Sequence, residues 1–355
     1  MSDKNLNAAS VVKKLKILRP VGDKTEISDA DTLSYANYKI SKEVYPDIYA
    51  FWKKQLDAFW TPDEIPLHND IKDFNSLSPR EKLVLSHIVY FFVHVEIAIQ
   101  DSYICYYSLF FQPPIVRLMI NVFAFMESIH SQAYQTIQEV LSIASDDCRE
   151  FLDYPSIIAK MNYFKTLPKP HNDTIEGRQN FLVWMAYSSA FNEGVQLFTS
   201  FAVLLNFQRY KKMCGLGQLV TFSIRDETLH VDGIANVFRR IITEQPELWT
   251  QEVQDKIYKI ADDVVKMEDN FIDEVFSGGD IPGLTKEEMK GYIRQTTNDR
   301  LEQLTLAPRY KLEKEEYLSW MATMINGNHV NFFEQRPSNY RRLDAQEKDW
   351  ENLKI

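Results

Sequence analysis

Glycine is scarce in this chain, with 11 among 355 residues, against roughly 7% in an average protein. No Gly-rich phosphate loop can be found, which argues against a Rossmann or P-loop enzyme. Cysteine is nearly absent too: Cys105, Cys148 and Cys214 are an odd number, widely spaced and without a Cys-x-x-Cys pair. That excludes a disulfide scaffold and fits a reducing compartment. Basic residues are outnumbered, 40 Lys and Arg against 50 Asp and Glu, for a net charge of −10. Such a balance leaves no footprint for nucleic acid or an anionic membrane. The opening stretch, Met1 to Ala9, is polar and lacks the apolar region of a secretory signal. A cytoplasmic protein is expected.

What the chain does have is hydrophobic content, 45%, enough for a large core, and helical periodicity almost throughout. Residues 1–40 read as a polar N-terminal arm. A helical pattern runs from Tyr45 to Trp60 and stops at Thr61-Pro62. Ser78-Pro79-Arg80-Glu81 has the form of a capping box with Pro in the first turn, so a second helix starts there and is expected to reach about Phe111. Pro113-Pro114 breaks the chain before a helix from Ile115 to about Leu141. Further helical patterns cover 175–207, 209–240 and 249–277, with shorter helices expected in 285–325. Residues 333–355 are charged and poor in apolar side chains until Trp350, Leu353 and Ile355, which suits a flexible tail with terminal anchors. The domain body is therefore expected over 41–332.

Chemistry concentrates in two short motifs, Glu127-Ser128-Ile129-His130 and Glu227-Thr228-Leu229-His230. Each is a Glu-x-x-His. Positions i and i+3 share a helix face, so each pair can present a carboxylate and an imidazole to one point beside its helix. Two more acids sit in apolar surroundings: Glu96, in Val93-His94-Val95-Glu96-Ile97, and Glu193, the single charged residue between Gln179 and Gln208. A stretch so poor in charge raises the possibility of a membrane span. A buried helix whose one acid binds a cation is the better reading, because an ionised carboxylate facing lipid is expensive. Four carboxylates and two neutral imidazoles carry a net charge of −4, which two divalent ions would neutralise. Hard oxygen donors with imidazole suit iron or manganese, and this donor set belongs to dimetal four-helix bundles. The alternative is a set of buried Glu–Arg or Glu–Lys pairs, but Arg225 is the only basic residue inside any of these motifs.

Met126-Glu127-Ser128-Ile129-His130-Ser131-Gln132-Ala133-Tyr134 and Ile224-Arg225-Asp226-Glu227-Thr228-Leu229-His230 resemble the two ligand helices of the small, radical-generating subunit (R2) of class I ribonucleotide reductase. The spacings agree as well, 31 residues from Glu96 to Glu127 and 34 from Glu193 to Glu227. The resemblance runs from about Trp60 to Tyr340. It implies an all-α, ferritin-like dimetal-carboxylate bundle. Glu96, Glu127 and His130 would serve one metal, Glu193 and His230 the other, and Glu127 and Glu227 could bridge. Tyr134 would carry the radical. Trp60 and Asp226 would begin an electron path toward His130, and Tyr340 would relay the radical to a separate large catalytic subunit, with Leu353 and Ile355 docking the tail. The implied activity is ribonucleoside-diphosphate reduction, with the small subunit using oxygen or a reduced oxygen species to store an oxidant. A homodimer and an activating flavoprotein are further implied partners.

Two positions depart from the family pattern. Its usual first ligand is Asp, where this chain has Glu96. A manganese/iron subgroup shares Glu there but replaces the radical tyrosine by Phe, and this chain keeps Tyr134. Ser223 falls where an apolar residue usually lines the tyrosine pocket. A di-iron centre is expected, and manganese/iron and dimanganese remain open. The rival functions are an R2-like ligand-binding dimetal oxidase and an iron-storage bundle.

Overall fold

The computed structural model describes residues 16–19, 21–22, 42–107, 110–143, 155–279 and 281–325. Most of the expected arm, the tail with Tyr340, Leu353 and Ile355, and Cys148 lie outside the described residues. The chain divides into two units, Met1–Leu318 and Ser319–Ile355. Of the second, residues 319–325 are helical.

Among the described residues there is no strand, only isolated bridges such as Leu18 with Phe111. The principal helices are α1 (Pro46–Asp57), α2 (Asp70–Ser76), α3 (Pro79–Ser102), α4 (Pro114–Val140), α5 (Pro155–Tyr163), α6 (Ile175–Met185), α7 (Leu197–Arg209), α8 (Cys214–Glu244), α9 (Gln251–Val275) and α10 (Lys286–Gln303). Helix α3 begins where the sequence indicates: the Ser78 hydroxyl accepts from Glu81 N at 3.2 Å, and Glu81 accepts from Ser78 N at 2.8 Å. It ends sooner than Phe111, because Tyr103–Tyr107 forms a π-helical turn in which Tyr103 and Tyr107 are both buried. The expected helix over 175–207 is a continuous rod of α6, a π-helical segment (Ala186–Gln196) and α7. Every residue of that π segment is buried, which accounts for the lack of charge from Gln179 to Gln208. In 285–325 the chain forms α10, 18 residues ending at Gln303, then irregular chain and the short helix over 319–325.

Four elements close into a bundle. Helix α3 packs along α4, α4 meets α8, α8 packs on the π segment and α7, and these return to α3. Helices α9 and α10 cover the π segment from outside, and α1 lies across α4 and α8. Among the described residues one helix, Pro79–Tyr107, is long and apolar enough to cross a membrane, and 61% of its most apolar window is buried inside the protein.

Candidate metal centre

Each wall of the bundle brings one acid to its interior: α3 brings Glu96, α4 Glu127, the π segment Glu193 and α8 Glu227. All four are buried, as are His130 and His230. Helix geometry fixes the two Glu-x-x-His pairs, and bundle packing then brings them face to face. His130 Nδ1 lies 3.3 Å from Glu127 and 3.0 Å from Glu227, while His230 Nδ1 lies 2.8 Å from Glu127. The donors fall into two groups, Glu96, Glu127, His130 and Glu227 in one, and Glu127, Glu193, Glu227 and His230 in the other, each with its ligand atoms within 4.8 Å of one another. Glu127 and Glu227 belong to both.

No Lys or Arg is ion-paired with any of these four carboxylates among the described residues. Both oxygens of Glu96 and one of Glu193 are buried without a hydrogen-bond donor. Orphaned acceptors of this kind are costly unless a cation satisfies them. Burial, reinforced by Glu227 and Glu127, pushes Glu96 and Glu193 well above the usual carboxylate range; the Tyr103 and Ser189 hydroxyls pull Glu193 the other way. Burial and the Glu127 charge raise Glu227 to about 7. For Glu127 burial also acts upward, but His230 and His130 outweigh it and hold the group at about 2. Four oxygen-rich ligands and two imidazole Nδ1 atoms, without sulfur, fit a pair of iron or manganese ions.

Trp60, Asp226 and Tyr134 surround this cluster, and Tyr340 lies outside the described residues. Trp60 is fully buried, and its Nε1–H donates to Asp226 Oδ2 at 2.7 Å. The same oxygen lies 3.2 Å from His130 Nε2, on the side of the ring away from the carboxylates. Asp226 Oδ1 accepts from Arg225 at 3.0 and 3.1 Å, so its pairing with Arg225 and its link to Trp60 coexist. Burial alone would raise the Asp226 pKa, but Arg225, His130 and Trp60 hold it well below the ordinary range. An anion fixed behind a histidine sets its tautomer and aims the other nitrogen inward. Tyr134 is buried one turn past His130, its ring stacked on Phe92 at 4.4 Å, with Phe92 stacked in turn on Phe201. Its hydroxyl donates to Ser223 Oγ at 3.3 Å, so Ser223 does line the tyrosine pocket. Burial and the nearby Glu96 push the phenol well above its usual pKa and keep it protonated.

The ribonucleotide reductase small-chain family model matches residues 38–317. The chain belongs to that family. It is 32% identical over 335 residues to the probable ribonucleoside-diphosphate reductase small subunit 376L of Invertebrate iridescent virus 6, covering 85% of this chain and 93% of that protein. It is 34% identical to the corresponding 048L protein of Invertebrate iridescent virus 3, covering 86% and 84%. In fold it is similar to the ribonucleotide reductase R2 subunit from Clostridium botulinum, with a TM-score of 0.70 at 20% identity over 79% of this chain and 88% of that one. It is similar also to the dimanganese(II)-NrdF of Streptococcus sanguinis, with a TM-score of 0.60 at 20% identity over 74% and 89%.

The protein is thus a small subunit of ribonucleoside-diphosphate reductase, an oxidoreductase that acts with a large subunit, on an all-α ferritin-like fold. The oxidase alternative is disfavoured. Sequence reasoning missed Tyr103, whose buried ring stands edge-on to His230 at 6.2 Å and beside Tyr107 at 5.1 Å. A signal was there, since Tyr103 lies two helical turns after Glu96.

Proposed function

We propose that Glu96, Glu127, His130, Glu193, Glu227 and His230 hold a dinuclear metal centre through which this subunit generates the oxidant used by its large subunit. The observation that carries this reading is the pair of four-residue donor groups sharing Glu127 and Glu227, buried among apolar side chains. When bound, two redox-active ions supply a one-electron oxidant by reacting with oxygen or a reduced oxygen species. Iron is the proposed metal; manganese/iron and dimanganese pairs suit the same donors, and the similar NrdF structure is a dimanganese protein.

The chain's own residues supply everything around that chemistry. Asp226 holds His130 by its Nε2, leaving Nδ1 for the metal side. Tyr134 is the electron donor, with Ser223 Oγ within hydrogen-bond reach of its phenolic proton. Phe92 and Phe201 wall the phenol from water, which protects a radical formed there. His130, Asp226 and Trp60 form a hydrogen-bonded file leading out from the cluster. From Trp60 the electron path passes to Tyr340 and the tail over 333–355, whose end docks on the large subunit. A homodimer is supported by apolar side chains exposed on neighbouring helices: Ile97 on α3, Ile104 just beyond it and Phe125 on α4. An activating flavoprotein and a cytoplasmic location complete the proposal, while the acidic balance of the chain gives no support for nucleic-acid or membrane binding.

The test is electron paramagnetic resonance after aerobic assembly with iron and manganese, for the parent protein and Tyr134→Phe. A narrow organic-radical signal that disappears in the variant is expected. A signal unchanged by the substitution would place the stored oxidant elsewhere, and parent protein that gains no oxidised signal with either metal would overturn the proposal.

A further inference from the structure

Helix α10 buries polar side chains, among them Thr296, Thr297, Asn298 and Arg300. A buried guanidinium is expensive unless its donors are used. Arg300 Nε donates to the carbonyl of Gly194 at 3.1 Å, one residue past Glu193 and inside the π segment. Its Nη1 donates to Gln303 Oε1 at 3.1 Å, and Gln303 Nε2 donates to Asp232 Oδ1 at 2.9 Å, two residues past His230 on α8. Gly194 is what allows the approach: a Cβ there would stand 2.6 Å from Arg300 Nε, 3.0 Å from its Cδ and 3.3 Å from Val231 Cγ2. The π geometry makes this link matter. Such segments are rare and are found frequently at functional sites; Glu193 sits inside this one, beside the carbonyl that Arg300 braces from outside.

We infer that Arg300 is a positioning residue for one half of the metal centre: through Gly194 on one side and Gln303–Asp232 on the other, it sets the distance between Glu193 and His230. The inference rests on the dimetal reading above. Of the two donor groups, the one containing Glu193 and His230 is spanned by this relay, whereas Glu96 and His130 lie on α3 and α4, which it does not touch. Loss of Arg300 therefore weakens one site and spares the other. A general support would weaken both.

The experiment is titration of metal-free, full-length protein with Mn(II), followed by electron paramagnetic resonance, for the parent, Arg300→Gln, Arg300→Lys and Gln303→Leu. The parent is expected to take two ions per chain and to lose the six-line signal of isolated Mn(II) as the pair couples. Arg300→Gln should bind its first ion as the parent does and its second about 10- to 100-fold more weakly, the usual effect of removing an outer partner of a ligand. An isolated-ion signal should then persist at one equivalent. Arg300→Lys should recover part of the loss. Gln303→Leu, which keeps the bond to Gly194, should fall between, and it carries the test if thermal melting shows Arg300→Gln to be unfolded. Unchanged affinity for the second ion, or an equal loss at both sites, would overturn the role of Arg300. A parent protein that cannot take two ions would instead remove the dimetal reading itself.

Discussion

Asp226 Oδ2 serves two donors, the Trp60 indole at 2.7 Å and His130 Nε2 at 3.2 Å, and that sharing makes two substitutions informative. Trp60→Phe removes one charge-assisted hydrogen bond and leaves Asp226 held by Arg225 and His130. Stability should fall by about 1.5–3 kcal/mol. Metal content should be unchanged while nucleotide reduction with the large subunit is lost, which metal analysis beside a turnover assay would check. Asp226→Asn keeps the shape but removes the anion behind His130, so metal affinity itself should drop by about 10- to 100-fold. If both variants lost metal equally, Trp60 would be a support for the cluster and not a conduit. The contrast between the six candidate ligands and Tyr103 or Arg300 shows what a sequence can disclose. Glu127 with His130 and Glu227 with His230 are local patterns fixed by helix pitch, and Glu96 and Glu193 stand out because an acid among apolar neighbours needs a reason. Arg300 meets Gly194 across 106 positions of chain, through packing alone, and no local pattern announces it.

The helix that carries Glu227 and His230 starts on a cap supplied from far away. Gly215 N donates to Asp70 Oδ1 at 3.0 Å and Leu216 N to Asp70 Oδ2 at 2.6 Å, while Met213 N, in the left-handed region at φ 53°, donates to Asp73 at 2.9 Å. Asp70 is fully buried, so Asp70→Ala would orphan two buried N–H groups at the positive end of α8. A loss of about 2 kcal/mol is expected in urea unfolding. Ser78→Ala, at the exposed capping box of α3, should cost about 1 kcal/mol. A smaller loss at Asp70 than at Ser78 would mean that other acceptors, water among them, replace the long-range cap. The same comparison explains which helix ends were legible. Ser78 and Glu81 are three residues apart, and the start of α3 could be read directly. The start of α8 at Cys214, and not near residue 209, depends on Asp70 and Asp73, so local periodicity placed it too early. The π segment was invisible for another reason. Where every position from Ala186 to Gln196 is buried, no apolar–polar alternation remains to distinguish one helical period from another.

Helices α5 and α9 are joined through the core by a buried ion pair, Lys160 Nζ to Glu268 at 2.7 Å, with the ammonium 4.0 Å above the Phe271 ring. Burial lowers the Lys160 pKa and raises that of Glu268, and in each case the partner opposes the shift. Both directions mean that burying the charges opposes folding, offset by their pairing, by Thr199 beside Glu268 and by the Phe91 and Phe271 rings around the ammonium. Lys160→Met leaves Glu268 with its burial and without its cation, and should cost about 3–5 kcal/mol near neutral pH. The sign of the pH dependence follows from Glu268, whose folded-state pKa lies above its unfolded value. Below the unfolded value, both states hold the proton and the cost is absent. As pH rises, the unfolded chain releases that proton while the folded protein retains it, so stability is lost up to the folded pKa. Removing Lys160 raises that folded pKa further and widens the window of loss. Urea unfolding at pH 5 and pH 8 should therefore show a larger drop for Lys160→Met than for the parent. The double variant Lys160→Met with Glu268→Leu has no charge left to bury, and should return to within about 1 kcal/mol of the parent or exceed it, with the extra pH dependence gone. If Lys160→Met instead loses the same stability at both pH values, the cost lies in packing against Phe271 and Phe91, and the pair would be serving as shape and not as charge.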